Sequence, residues 1–276
     1  MKARRWIILT VFFCQTFLLF GQVDAPNEGK AWYSLSLSKK INHKWSLQNF
    51  SLLGTRSFRN DFWFFQNDFS VNFNVNRLVN VSLGYGHTLY KYNAWWSRHY
   101  PQQPNFMNAV SFHSLSAAIE RRWDIGRKFR LSNDLIIQYY VPRFEKYQTR
   151  FHYTAGFSYR KRDLPLGMKP FVQGAVYYYM NGEKTYYYDE NFNITSYASP
   201  DGIHRFRGKV GFNFRPAKKV QGFSITLYYG INREFNLARL GNDLNVAHLS
   251  PTGRTMLIAN PFNNYDIAGL QFGISF

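Results

Sequence analysis

From Phe69 to Asn76 the chain reads Phe-Ser-Val-Asn-Phe-Asn-Val-Asn, with an apolar side chain at every odd position and a polar one at every even position. Successive side chains of a β-strand point to opposite faces, so such a run builds a strand with one greasy and one wet face. It builds no helix face, which needs a period near 3.6. The pattern recurs. Phe151, Tyr153, Ala155, Phe157 and Tyr159 alternate with His152, Thr154, Gly156, Ser158 and Arg160, and Phe206, Val210, Phe212 and Phe214 stand opposite Arg205, Arg207, Lys209, Asn213 and Arg215. Similar alternation runs through 31–38, 79–90, 129–141, 171–179 and 223–232, giving about eleven candidate strands and no sustained helical period.

A soluble sandwich also alternates, so length and greasiness must separate it from a membrane barrel. Several runs hold the pattern for about 9 to 13 residues, whereas soluble strands usually stop near 5 or 6 and a tilted membrane-crossing strand needs about 9 to 11. The 27 Phe, 20 Tyr and 7 Trp make a fifth of the 276 residues. Yet mean hydropathy is only −0.38, because the rings are interleaved with polar residues. Aromatic residues on the apolar face are expected where rings gather at the two membrane interfaces. The turns 39–44, 76–80, 124–128 and 215–221 are short, while 92–108, 180–203 and 233–263 are long, the asymmetry of outer-membrane barrels.

The first twenty residues differ from the rest. Lys2, Arg4 and Arg5 precede apolar stretches at 6–13 and 17–20, the pattern of a secretory signal peptide, with cleavage near Gly21. The apolar region is too short for a membrane-spanning helix, and no later stretch offers 18 consecutive apolar residues. The bulky Phe13 before Cys14 argues against lipidation there. The expected organisation is a signal peptide at 1–21 and one barrel domain at 22–276. Removing the leader's three positive charges takes the net charge from +18 to +15, and removes the only cysteine. No disulfide or thiol chemistry remains.

At the other end Ala268, Leu270, Phe272, Ile274 and Phe276 form an alternating apolar face, with Gly269, Gln271, Gly273 and Ser275 opposite. This segment resembles the terminal strand of bacterial outer-membrane barrels, in which a final aromatic belongs to the assembly signal. The resemblance implies periplasmic chaperones and the barrel-assembly machinery as partners, and assigns Leu270, Phe272, Ile274 and Phe276 to that signal. Trp32, the Gly84-Tyr85 pair, Glu120-Arg121-Arg122-Trp123 leading through a short turn to Arg130, and Arg205-Phe206-Arg207 together resemble an uncharacterised outer-membrane β-barrel family, domain of unknown function number 2490. The similarity covers about 30–276. It implies a fold and a Gram-negative outer-membrane location; that family has no established activity, so no catalytic residue is carried over.

The expected fold is therefore an all-β, antiparallel, up-and-down transmembrane barrel. Short turns follow candidate strands 1, 3, 5, 7 and 9, so strand 11 leaves Phe276 at the short-turn side, but strand 1 then runs the same way. An even barrel with both ends on one side needs one strand more or fewer. Twelve strands are expected, with ten next; the remedies are an unrecognised strand, a false one near the N-terminus, or residues 22–30 threading the lumen.

Candidate chemistry is sparse. No two of His43, His87, His99, His113, His152, His204 and His248 lie within five residues, so no metal-ligand spacing exists and no metal or cofactor is called for. His113 and Ser114 are adjacent on a strand and point to opposite faces, and His113 and Ser116 fail in the same way, which argues against an acyl hydrolase. Asp189 and Glu190 sit in a polar, Tyr-rich segment expected to be an external loop. Gly84-Tyr85-Gly86 lacks the rest of a nucleotide fingerprint and fits a crowded barrel strand better. The reading leans away from an enzyme and assigns no catalytic residue.

The excess of basic residues would permit nucleic-acid binding, but an exported barrel does not normally meet nucleic acid. Parity instead places Arg205, Arg207, Lys209, Arg130, Arg150, Arg160, Glu120, Arg122, Asp68 and Asp134 on the wet, lumen-facing side. Paired, these charges fill a narrow barrel, with Asp68, Asp134 or Glu120 as the expected answers to Arg205, Arg207 and Lys209. Unpaired, they form a constriction selecting small anionic solutes. Cations outside the lumen would hold the phosphates of outer-membrane lipid. The favoured function is a largely plugged envelope barrel acting structurally or through its long external loops; a small anion channel is the alternative, and a lipid-modifying enzyme comes third.

Overall fold

The computed structural model describes residues 28–56, 61–91, 109–144, 147–181, 185–188, 194–198, 201–216, 222–234, 245–249, 255–259 and 265–276. The expected signal peptide with Cys14, the loop at 92–108 with His99, and the Asp189-Glu190 pair lie outside these residues.

Eleven strands close into one barrel: β1 (Glu28–Lys40), β2 (Trp45–Arg56), β3 (Asp61–Asn74), β4 (Val79–Lys91), β5 (Ala109–Ile125), β6 (Phe129–Phe144), β7 (Tyr147–Tyr159), β8 (Lys169–Met180), β11 (Gly202–Phe214), β12 (Phe223–Glu234) and β15 (Tyr265–Ser275). The other four described strands form two hairpins, β9 (Thr185–Tyr188) with β10 (Ile194–Ala198), and β13 (Asn245–Leu249) with β14 (Thr255–Ala259). Barrel strands run from 11 to 17 residues, well beyond the soluble norm of about 5 to 6. Among the described residues no helix is long and apolar enough to cross a membrane.

Neighbouring barrel strands are antiparallel except where the barrel closes. There β1 pairs in parallel with β15, from Glu28 opposite Tyr265 to Ser38 opposite Ser275. The parallel seam resolves the parity difficulty. Eleven strands suffice where an all-antiparallel closure would demand twelve or ten, because β1 and β15 run the same way. The start of β1 stands beside Tyr265 at the end carrying the long connections. Phe276 lies at the opposite end, where its amide donates to Ser38 O and its carbonyl accepts from Lys40 N, both at 3.0 Å.

Alternation sorts the two faces of the wall. Leu83 and Leu115 are each 65% exposed, and Phe69, Ile119, Tyr153, Val172, Val210, Phe212 and Leu227 share their outward face. An apolar outer surface on every side, around an inner face that carries the charged side chains, inverts the arrangement of a water-soluble barrel. Gly86 shows how crowded the inner face is, since a Cβ there would collide with Asp68 Oδ1 and Ser114 Oγ.

The tight connections carry local signals. Asn42 Oδ1 accepts from the amides of Lys44 and Trp45, and Asn76 Oδ1 from those of Leu78 and Val79, so the β1–β2 and β3–β4 turns use the same Asx device. The β7–β8 connection contains a single 3-10 turn, Pro165–Gly167, which closes on Gly167 at φ 62, a conformation glycine adopts freely.

Candidate functional site

The inner face divides into two halves along the barrel axis. Near the long-connection end it is lined by buried aromatic rings. One buried cluster holds Trp32, Leu52, Trp63, Phe64, Tyr265 and Ile267; a second holds Phe112, Tyr140, Tyr147, Ala175, Tyr177 and Tyr179; and Tyr90 packs against both. Trp63 meets Phe64, Tyr265 and Tyr90 at centroid separations of 4.8, 5.2 and 6.0 Å. Strict alternation would turn Trp63 outward. The β2–β3 register instead slips between Gly54 and Thr55, and this bulge lets Trp63 and Phe64 both enter the lumen.

Cations are threaded among these rings. Lys30 Nζ lies 3.9 Å from the Trp63 ring and 4.2 Å from that of Tyr265. The Arg207 guanidinium lies 4.7 Å from Trp32 and 5.2 Å from Tyr177, and Lys209 Nζ is 4.9 Å from Tyr228. Arg150 donates through Nη1 to Tyr147 Oη at 3.1 Å and through Nε to Gln138 Oε1 at 3.0 Å. Arg205 forms a charge-assisted pair with the buried Glu234, while Arg207 donates to Asn232 Oδ1 at 3.2 Å. With β11 and β12 supplying these groups, every barrel strand contributes a side chain to the layer. Facing a ring is favourable for a cation, more so when it is desolvated, so π faces replace many of the carboxylates such a layer would otherwise need.

Nine of the ten residues singled out for the lumen are turned inward by strand register, while Arg160 follows directly after β7 and reaches Asp124; the ten do not form one network. Arg205, Arg207, Lys209 and Arg150 belong to the aromatic layer. Arg130, Arg160, Glu120 and Arg122 lie toward the short-connection end, where Arg122 donates to both oxygens of Glu120 at 2.6 and 2.5 Å. The expected acidic answers are corrected. Asp68 accepts from Gln66 Nε2 at 2.5 Å, Glu120 is held by Arg122, and Asp134 stands opposite Glu120 across β5 and β6; Glu234, Asn232 and aromatic faces answer β11 instead. Glu234 faces Arg205 only through the β11–β12 register, which one strand's sequence does not display.

Toward the short-connection end the inner face turns polar and solvent-accessible, with Ser36, Gln48, Asn72, Asn80, Ser82 and Thr226 all part-exposed. A cavity of about 430 Å³ opens there, lined by Arg130, Ser158, Tyr159, Arg160, Arg162, Lys169, Phe171, Asn213 and Thr226. Asp124 bridges two of these cations, Oδ1 to Arg130 Nε at 3.0 Å and Oδ2 to Arg160 Nη1 at 2.9 Å. Arg162, Lys169 and Asp124 are the functional candidates that strand parity did not single out. Two of them lie in or beside connections, where alternation assigns no face.

Outside the barrel, His87 Nε2 lies 2.6 Å from Ser111 Oγ, and Tyr85 Oη lies 2.6 Å from His113 Nδ1. The side chains fall on the outward face of β4 and β5. The His113–Ser114 pair weighed from sequence does not meet, as the opposite faces of adjacent residues require: His113 is exposed and Ser114 buried. Among the described residues no group of three or more His, Cys, Asp or Glu could hold a metal ion. Comparison with family models, with curated proteins and with solved structures gives no match.

Proposed function

We propose that the chain is an integral bacterial outer-membrane barrel of the uncharacterised family named above, exported by residues 1–21 and inserted by the barrel-assembly machinery. Its lumen is plugged, and it acts in envelope structure or interaction through the loops at its long-connection end. The supporting observation for a plug is the aromatic and cationic layer to which all eleven strands contribute. The outward belt of leucine, valine and aromatic side chains supports the membrane reading, since an exposed apolar surface of that extent needs lipid around it.

The test has two parts. The protein should fractionate with the outer membrane and migrate faster in unheated than in heated gels; recovery as a soluble periplasmic monomer defeats the location. In planar bilayers the folded barrel should give no steady conductance. The second reading, a small anion channel, draws on the excess of inward-facing cations, and anion-selective conductance abolished by Arg207→Ala would establish it over the plug. Deleting Phe276, whose backbone is bonded to β1 at the seam, should lower the folded yield without altering export.

A further inference from the structure

We propose that the cavity at the short-connection mouth is a binding site for a phosphate-bearing solute. The proposal stands on the barrel and the cavity alone, and needs neither the membrane location nor the closure of the lumen.

Charge balance is the first argument. Arg130, Arg160, Arg162 and Lys169 line the cavity, and the lining itself holds no carboxylate. Asp124 ion-pairs Arg130 and Arg160, so four positive charges less one negative leave +3. Asp163, on the same connection as Arg162, accepts from the Tyr159 phenol instead. No salt bridge among the described residues engages Arg162 or Lys169. Cations gathered in a concave, partly desolvated space repel one another unless an anion joins them, and such a space concentrates the field on an incoming anion.

The second argument is positioning. Arg162 Nη1 donates to Gly167 O at 2.9 Å, which pins the guanidinium to the 3-10 turn, and Nη2 donates to Asn213 Oδ1 at 3.0 Å. Asn213 Nδ2 in turn donates to Thr226 Oγ1 at 2.8 Å. The group is thus held by neutral acceptors from the β7–β8 connection and β11, which fix its place and leave its charge unanswered. Burial, with Arg215 nearby, pushes the Arg162 pKa below the ordinary guanidinium value, as expected for a cation short of counter-charge.

The chemistry of the lining selects the ligand class. Guanidinium groups match phosphate oxygens with paired donors, Lys169 adds a point charge, and Ser158 and Thr226 bring hydroxyls. The volume of about 430 Å³ exceeds what a bare phosphate needs and falls in the range of small-molecule sites, about 300–1,000 Å³. Phe171 offers an apolar wall for the organic body. A phosphate could arrive on a soluble ester or on a lipid headgroup, and both present the same oxygens.

Isothermal titration calorimetry on the full folded barrel in non-ionic detergent tests this, with inorganic pyrophosphate as one probe and dihexanoyl phosphatidylglycerol below its micellar concentration as the other. Saturable one-to-one binding of pyrophosphate, weakened at least tenfold in Arg162→Gln/Lys169→Gln, establishes the site with soluble phosphate compounds as its ligands. Binding of the lipid alone, with the same loss in the variant, establishes it with headgroups as the source. The single variant Lys169→Gln, which disturbs no hydrogen bond of the 3-10 turn, carries the comparison if the double variant does not fold. Absence of saturable binding of both probes to the unaltered barrel overturns the proposal, and so does equal binding by folded variants. A purely structural Arg162 would change thermal stability and leave anion binding at Lys169 untouched.

Discussion

The two halves of the lumen solve the same problem, an interior rich in basic residues, by opposite means. In the long-connection half Arg205, Arg207, Lys209, Lys30 and Arg150 are sunk among tyrosine and tryptophan rings, and the one close carboxylate on β12, Glu234, is buried with them. In the short-connection half Arg130 and Arg160 share Asp124 in an open mouth, where all three side chains are more than a third exposed. The same charges therefore carry different weight. In the aromatic half each is largely shielded from water and depends on its partners; in the open half solvent can answer whatever the protein does not.

The sharpest way to break the comparison is Trp32→Ala. The Trp32 ring lies edge-on to Phe64 at 5.8 Å, tilted against Tyr265 at 6.2 Å, and beneath the Arg207 guanidinium. Removing it leaves a cavity and strips a π face from a buried cation. A loss of about 3–5 kcal/mol is expected in urea unfolding of the refolded barrel. Conductance should appear at the same time if this ring closes the lumen. A variant as stable and as silent as the parent would show that the layer neither seals nor supports the barrel.

Glu234→Gln comes next. The amide can still accept from Arg205, but the charge-assisted pair is lost in a place where the carboxylate side chain is only 3% exposed. An expected loss of about 1.5–3 kcal/mol follows from the strength of hydrogen bonds to charged groups. Asp124→Asn, the equivalent change in the open half, should cost no more than about 1 kcal/mol, since its partners are solvated. It should also tighten pyrophosphate by raising the net charge of the mouth. Equal losses in the two variants would erase the distinction between the halves.

What the sequence disclosed, and what it withheld, follows the same divide. Period two assigns a face to each strand residue, so Arg205, Arg207 and Lys209 are legible as inward, and the greasy face as outward, without any knowledge of neighbours. The partner of an inward residue depends on register. Glu234 meets Arg205 because β12 is aligned on β11 in one particular way, and a one-residue slip would turn it outward. Trp63 escaped for a different reason: a bulge breaks the alternation on which the reading rests. The barrel's odd strand count was visible as a conflict in parity, and the parallel seam that resolves it is a long-range pairing between the two ends of the chain. Arg162 belongs to a connection, and its place in the mouth comes from the 3-10 turn beneath it.

The smallest effect belongs to Tyr179→Phe, and it tests how far rings rather than hydroxyls hold the aromatic half together. Tyr147 and Tyr179 pack with centroids 4.3 Å apart and rings tilted by 33° in the same cluster, and are about equally buried. They differ at the oxygen. Tyr147 Oη accepts from Arg150 Nη1, whereas the Tyr179 hydroxyl is buried with no hydrogen-bond partner among the described residues. Deleting the Tyr147 hydroxyl leaves a buried guanidinium one acceptor short and should cost about 1.5 kcal/mol or more. Deleting that of Tyr179 removes a desolvated polar group while keeping the ring against Arg205, so stability should hold or rise by up to about 1 kcal/mol. Unfolding midpoints of the two variants measured side by side decide the matter. If Tyr179→Phe loses as much as Tyr147→Phe, the hydroxyl has a partner, and the aromatic half is held by a polar network rather than by cations seated on rings.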